Sequence, residues 1–475
     1  MPSSTTERLG IEQTGFRKFD ISKAKVRGEG DISSVFASFD STGLADRLPS
    51  VYAEIKKSLV KNPQQLKDSW IRLKKALSEG IEEIKRNQES IVPSVDFNDL
   101  CNVSGELREE ILKRGSLVVR NVIPMNEARR LKDDISDYID SNPNTKGFPK
   151  DKRVVYELYW SKSQIKARSH PNVEETMKFM NNLWVASPDT EICLDQNISY
   201  ADRLRIRNAG DALFSLGPHA DGGSLERWED PEYRECYKPI FEGKWEEYEP
   251  YDASHRIGAK QDLHDSRGTC SVFRSFQGWL AVSDIAPKEG TIYFAPLVKE
   301  VTAYYMLKPF FDKNDNLKLD SDIPGAFPGK GLEFSDDSHP ELKLEDIMVP
   351  TPRVKPGDMV FWHCDLIHAV DPVHNGTNDS SVFYIPSVPL CPSNIEYAFL
   401  QREAFLKGLA GPDFPGFPNG IAETEHINRG TPEDVEKTGG KAAMQQFCLA
   451  RFEEKKGYTS GANKAIRNAN SRLFY

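Results

Sequence analysis

The spacing of apolar residues changes character twice along this 475-residue chain. Up to about residue 60 no apolar period is sustained, which predicts a polar N-terminal arm over 1–60, wrapped on the surface or partly disordered. From there Trp70, Leu73, Leu77, Ile81 and Ile84 recur at three- and four-residue steps and predict an amphipathic helix ending near Pro93. Leu107 to Leu112 continues in helical spacing, Gly115 to Pro124 reads as a short buried strand, and Ala128, Leu131, Ile135 and Ile139 mark another helix. Residues 61–190 therefore read as a helical part packed on a sheet, with no chemistry of its own.

Near residue 195 the period shortens to two. Arg203, Arg205 and Arg207 alternate with Leu204 and Ile206, giving a strand with one basic face. Such a face is ordinarily solvated. In a barrel-like sheet it would instead line a pocket for an acidic group, which makes Arg205 and Arg207 candidate substrate-binding residues; a surface ion pair is the favoured reading for Arg203. The strand-like run continues through 213–216 into His219. Further strands are expected at 270–282, 291–296, 301–307, 359–370 and 381–385, around a polar loop at 312–350. Residues 224–268 interrupt this rhythm with charge and aromatics, among them Trp228, Tyr233, Tyr237, Trp245 and Tyr248. Following directly on His219 and Asp221, they read either as a lid or as a surface excursion with its own small core. Beyond Pro392 the spacing is helical again. The division expected is thus an arm, a helical part, a sheet core at 191–391 and a helical extension at 392–475.

Composition acts mainly by exclusion. With 38% hydrophobic residues the chain can bury a large core. A net charge of −10 lacks the basic footprint of general nucleic-acid binding. Seven scattered cysteines without a C-x-x-C pair suit a reducing compartment and argue against a disulfide framework or a thiolate zinc site. The first eight residues hold no apolar signal core, and no run approaches the roughly 18 apolar residues of a membrane helix. The expected location is the cytosol, with a small-molecule substrate and neither nucleic acid nor membrane as partner. Oligomeric state stays open.

Two H-x-D sequences carry the candidate chemistry: His219/Asp221 and His363/Asp365. The first ends a strand-like run before Gly222-Gly223, and a long strand-rich stretch separates it from His368. That separation lets a later strand return His368 beside the pair. Two imidazoles and one carboxylate on one face of a metal leave the other face open, the ligand set of non-haem Fe(II) oxygenases. His363/Asp365 has downstream only His374, too close for an intervening sheet, and His426 in the helical tail. If 359–368 is one regular strand, His363 and His368 face opposite ways, so His363 is expected to be packed. His170, His255, His264, His339 and His374 lie in polar loops, where solvation is the default.

Pro356-Gly357-Asp358 followed by a strand that ends in His368 resembles the phytanoyl-CoA-hydroxylase-like branch of the Fe(II)/2-oxoglutarate oxygenases. Gly278 to Asp284, followed by Glu289-Gly290-Thr291, looks like that branch's strand, acidic turn and glycine. From about residue 60 onward the chain more closely resembles the YbiU-like family of that superfamily. The resemblance implies an α+β fold, with a double-stranded β-helix (jelly-roll, cupin-like) core flanked by N- and C-terminal helices. It also implies Fe(II) on His219, Asp221 and His368, 2-oxoglutarate as cosubstrate, and O2. The reaction implied is oxidation of an unactivated C–H bond in a small polar substrate. Fungal members of the wider group include enzymes that oxidise small amino acids, such as cyclising valine to an aziridine, so an amino acid is one candidate substrate. Hydroxylation and oxidative cyclisation are the candidate outcomes.

One departure stands out. The phytanoyl-like branch places an arginine shortly after the distal histidine to hold the far carboxylate of 2-oxoglutarate; here Asn378, Asp379, Ser380 and Ser381 occupy that region. A carboxylate is best gripped by a bidentate guanidinium, so another strand must supply one. Arg274 is the first candidate for cosubstrate binding, then Arg205 and Arg207, with Ser381 as a hydroxyl partner. The gap leaves two alternatives open: a cupin-like metal-dependent hydrolase or isomerase that does not use 2-oxoglutarate, and a non-catalytic jelly-roll binding protein.

Overall fold

Two antiparallel sheets with a cavity between them form the centre of the computed structural model, which describes residues 15–39, 48–266 and 268–475. The readings of the first eight residues, and of the arm at 1–14 and 40–47, lie outside the described residues. The larger sheet has eight strands in the order Ser94–Asp96, Ser116–Arg120, Met359–His363, Phe276–Ala281, Ser380–Tyr384, Leu204–Arg207, Val155–Tyr156 and Gly147–Phe148. Only its first pair is parallel. The smaller sheet runs Leu332–Glu333, His219–Ala220, His368–Val370, Ile292–Phe294 and Val349–Pro350. Among the described residues no strand pairing joins the two into a closed barrel. With helices on both sides in sequence, the architecture is mixed α and β.

Helix Pro63–Asn87 follows from its pattern. Asn62 caps it by accepting from Gln65 N, Pro63 sits where no intrahelical N–H is needed, and Leu66, Trp70, Leu73, Leu77, Ile81 and Ile84 form one buried stripe. Trp70 stacks on Tyr304 and Phe311, with ring centroids 5.5 and 5.0 Å away. Trp70→Ala would cost about 3–5 kcal/mol, because the stripe has nothing else to fill the gap.

Several expected elements differ. Residues 301–307, expected as a strand, belong to helix Val298–Leu307, nearly all of whose side chains are buried. A continuous apolar run has no period, so strand and buried helix look alike in it. The run 213–216 forms no strand, and 270–282 narrows to Phe276–Ala281. Most important, 359–370 is two strands. Met359–His363 lies in the large sheet, the chain turns at 364–367, and His368–Val370 lies in the small sheet. The alternation argument separating His363 from His368 therefore does not apply; a change of sheet separates them instead.

The described part of the arm is pinned rather than loose. Arg27 is buried, pairing with Asp262 at 2.5 Å and Asp413 at 3.2 Å, and Ile32 and Phe36 are buried too. The insertion 224–268 does not build a small core of its own: Trp228, Tyr233, Tyr237, Tyr248 and Tyr251 are buried in the main core. Helices Pro392–Lys407, Pro432–Gln446 and Ser460–Leu473 close a second core against Trp160 and Tyr200. No cysteine is disulfide-bonded, and no described helix is long and apolar enough to cross a membrane.

Candidate metal centre

Cross-strand pairing brings the two histidines together: His368 lies directly opposite His219 in the small sheet, with ring centroids 4.1 Å apart. Asp221 follows on the turn after His219–Ala220. Gly222 and Gly223 then continue at φ +81° and +83°, where side chains are disfavoured, and a Cβ on either would meet Gln261 at 2.6 Å. His219 Nε2 is 3.8 Å from Asp221 Oδ1, and His368 Nε2 is 3.7 Å from Asp221 Oδ2.

Each imidazole is held from behind. His219 Nδ1 lies 2.7 Å from Gly217 O and His368 Nδ1 lies 3.0 Å from Leu366 O. A carbonyl can only accept, so each Nδ1 carries a proton, and Nε2, on the Asp221 side, is the atom left to ligate. Burial, reinforced by the neighbouring His219, pushes His368 down to about 3, so its ring is neutral near pH 7. Burial raises the Asp221 carboxyl, but His219, His368, Arg274 and Arg227 outweigh it and hold the group below its ordinary range. A neutral His368 ring and an ionised Asp221 carboxylate are protonation states that a divalent cation needs. Taking one ligand atom from each residue, these atoms all lie within 4.8 Å of one another; ligands at about 2.1 Å from one ion sit roughly 3.0–3.4 Å apart, so the trio must draw in to hold one.

The trio opens on a cavity of about 120 Å³. Its walls include Arg205, Arg274, Gln277, Trp362 and Tyr384 from the large-sheet side, and Ile32, Val35 and Phe36 of the arm. The Phe36 ring meets the His219 ring edge-on at 4.8 Å. With its amide oriented to satisfy both neighbours, Gln277 donates to Asp221 Oδ2 (2.7 Å) and accepts from Trp362 Nε1 (3.0 Å). A larger cavity of about 350 Å³, between 141–146 and 410–427, gathers no comparable set of metal-ligating side chains among the described residues.

The expected cosubstrate and substrate residues separate sharply. Arg274 reaches the site, with Nη2 3.6 Å from Asp221 Oδ2 and its guanidinium over Tyr200. It therefore faces the candidate ligand Asp221. Arg205 lines the cavity, donates to Ser380 Oγ at 3.0 Å, and has a buried Nε without a partner. Among the described residues it has no carboxylate partner, and burial draws its guanidinium below the usual value. Arg207 does not reach the cavity: it is fully buried, pairing with Asp211 at 2.9 Å and donating to the carbonyls of Asp371 and Pro372. Ser381 also points elsewhere. Alternation along Ser380–Tyr384 sends Ser380 and Tyr384 inward, while the Ser381 hydroxyl donates to Asp379, itself paired with Lys132. The basic face is thus buried rather than solvated, and only Arg205 on it carries an uncompensated charge.

The sequence reading passed over Gln277, Trp362, Ser380 and Phe36. A signal existed for the first: a lone glutamine inside the apolar run 276–282 is a polar side chain that needs a buried partner. Phe36 left none, because its stretch is polar on average. His363 is packed, stacked on Trp184 at 4.9 Å and bonded to Pro250 O.

Fold and site define a mixed α and β protein with a two-histidine, one-carboxylate cluster facing a cavity between two sheets. The chain belongs to the Gig2-like family, which matches residues 46–446. The Escherichia coli (strain K12) protein YbiU is 33% identical over 350 residues, 70% of this chain and 82% of its own. The crystal structure of GlcNAc Inducible Gene 2, GIG2, from Candida albicans superposes with a TM-score of 0.82 at 33% identity, covering 90% of this chain and 95% of that one. A candidate oxidoreductase from Salmonella typhimurium LT2 follows at 0.72 and 30%, covering 84% and 98%. These findings correct the expected placement within the 2-oxoglutarate oxygenase superfamily. Against a solved member, the carbocyclase SnoK of nogalamycin biosynthesis, identity is 12% and the TM-score 0.33, too slight to carry it.

Proposed function

We propose that this chain is a non-haem Fe(II), 2-oxoglutarate-dependent oxygenase that oxidises an unactivated C–H bond of a small polar substrate. The observation that carries this reading is the pairing, in one cavity, of the His219/Asp221/His368 cluster with the uncompensated guanidinium of Arg205. The first suits a divalent cation with an open face; the second suits a carboxylate at the other end of a short dianion. Two sheets about a central cavity fit a double-stranded β-helix, and the Salmonella relative's description as a candidate oxidoreductase accords with the chemistry.

His219 Nε2, Asp221 and His368 Nε2 would hold the metal. Bound iron, with 2-oxoglutarate and O2, supplies the oxidising power for the C–H bond. The chain's own residues do the rest. Gln277 and Arg274 fix the Asp221 carboxylate from two sides. Arg205, steadied by Ser380 Oγ, takes the far carboxylate of the cosubstrate. Ile32, Val35 and Phe36 keep water from the cavity's arm side. An amino acid remains one candidate substrate, and hydroxylation and oxidative cyclisation the candidate outcomes.

The deciding experiment is an anaerobic titration of the Fe(II)-loaded protein with 2-oxoglutarate, followed through the visible metal-to-ligand charge-transfer band. The band should appear in the wild type and vanish in His368→Ala. Iron bound without a band would refute the use of 2-oxoglutarate and favour a cupin-like hydrolase or isomerase.

A further inference from the structure

The second H-x-D sequence, His363/Asp365, takes no part in the site described above, yet Asp365 joins the two loops that carry the metal ligands. Its side chain is fully buried and accepts from Arg227 Nη2 at 3.4 Å, from both terminal nitrogens of Arg256, and from Tyr237 Oη at 3.0 Å. The other bonds of Arg227 end on the proximal ligand loop. Nη2 donates to Asp221 O at 2.6 Å and Nη1 donates to Gly223 O. Tyr233 Oη donates to the remaining carbonyl, Gly222 O, at 3.1 Å. All three carbonyls of the loop after His219 are thus held by side chains of 224–268. On the other side, Asp365 opens the turn 365–367 that leads into His368, and its own carbonyl accepts from Tyr305 Oη at 3.2 Å.

The arrangement is a buckle. From Asp221, the path to His368 runs through one guanidinium and one carboxylate, both fully buried. Glycines at 222 and 223 give the proximal loop no side chains of its own to hold its shape, so its conformation depends on these outside bonds. A carboxylate flanked by Arg227 and Arg256 stays ionised, which keeps the buckle closed across the pH range of a folded protein. The contacts go to backbone carbonyls and a distal turn, not to the ligand atoms, so these residues act by position.

We infer that Arg227 and Asp365 are positioning residues that set the spacing between the Asp221 loop and His368, and that the insertion 224–268 exists to supply this buckle. The inference rests on the metal assignment made above. It says that loosening the buckle weakens metal binding and changes the ligand field, beyond any loss of stability.

The test uses the full chain and Co(II) as probe, reading affinity by titration and geometry from the visible d–d bands. Asp365→Asn keeps the shape and removes the charge. Tyr237→Phe removes only the hydroxyl that donates to Asp365 and accepts from Arg256 Nη1, and covers the case in which Asp365→Asn does not fold. Glu423→Gln is the control for stability alone, since Glu423 is an equally buried carboxylate that holds Tyr159 N, Trp160 N and Tyr138 Oη far from the cluster. Asp365→Asn should bind Co(II) about tenfold or more weakly, as partners behind metal ligands generally do, with shifted bands. Tyr237→Phe should show a smaller loss, and Glu423→Gln wild-type affinity and bands. Unchanged affinity and bands in folded Asp365→Asn, or equal losses in Glu423→Gln, would overturn the inference. A wild type that binds no Co(II) would overturn instead the metal assignment beneath it.

Discussion

Two clusters in this chain carry a histidine and an aspartate two residues apart, and the structure treats them in opposite ways. Around His219/Asp221 both histidines turn Nε2 toward a carboxylate that faces a cavity and is 30% exposed. Around His363/Asp365 both side chains are fully buried. Two guanidiniums and tyrosine hydroxyls saturate the carboxylate, and the histidine spends Nε2 on Pro250 O and Nδ1 on the Asp365 N–H. The second trio, His363, Cys364 and Asp365, is compact enough to suggest a metal by distance alone. Distance does not decide; the bookkeeping of lone pairs and charges does. The first cluster has ligand atoms left over, whereas those of the second have hydrogen-bond partners.

The largest expected effect separates the clusters outright. His219→Ala should abolish detectable Fe(II) or Co(II) binding, a loss above the 10–100-fold typical of groups standing behind a ligand, while leaving the melting temperature little changed. His363→Ala should do the reverse. Titrating both with Co(II) beside thermal melts checks the contrast, and it fails if His363→Ala loses metal while His219→Ala keeps it.

Next is Asp365→Ala. It leaves Arg227 and Arg256 buried with no carboxylate between them, and breaking a buried pair from one side costs about 3–5 kcal/mol. Urea unfolding would read this directly. A loss below about 1 kcal/mol, the scale of exposed pairs, would mean that water reaches the arginines and that the second cluster is less closed than described.

A pH effect of similar origin follows from His363. Burial pushes its ring down to about 4, with the Arg256 charge adding to the shift. A folded-state value below the ordinary 6.5 means that the unfolded chain binds the proton first. The stability contributed by the neutral ring is complete above pH 6.5 and is lost as pH falls from 6.5 toward 4, up to about 3 kcal/mol. His339, pushed down to about 3 by burial, adds to the same slope. His363→Asn should therefore flatten, without erasing, the fall in stability over that window. An identical slope in variant and wild type would place the His363 proton uptake elsewhere.

How much of this could be read in the chain beforehand depended on the kind of signal. The helix over Trp70 to Ile84 and the strand 203–207 were legible, because their apolar periods of 3.6 and 2 are local facts. His219, Asp221 and His368 came together as anticipated, although the parity argument about one long strand was wrong in its premise. The break at 364–367 contains Asp365, whose side-chain partners lie more than a hundred residues away in sequence, and no local pattern announces it. The fate of the three arginines was illegible for the same reason. Alternation places Arg205 and Arg207 on one face, but only the fold decides that Asp211 pairs with one and that, among the described residues, no carboxylate forms an ion pair with the other. Helix Val298–Leu307 was missed because an unbroken apolar run has no period to read.

The smallest expected effect is the one that turns the comparison into a statement about function. Arg205 and Arg256 are both buried guanidiniums, but Arg256 pairs with Asp365, whereas Arg205 has no carboxylate in an ion pair among the described residues. A buried cation without a partner weakens the folded state unless something outside the chain completes it. Arg256→Met should therefore lower the melting temperature. Arg205→Met should leave it unchanged or raise it, while weakening 2-oxoglutarate binding by about 2 kcal/mol, roughly 30-fold, the scale of a charge-assisted contact. Arg205→Lys should recover part of that loss, since it restores the charge without the planar fork. A destabilised Arg205→Met with undiminished 2-oxoglutarate affinity would show that this arginine serves the fold, and the far carboxylate would then have to be sought at Arg274. The opposite pair of results would mean that the fold bears a lone buried charge for the sake of a ligand, which is how a binding site differs from a structural cluster built of the same residue types.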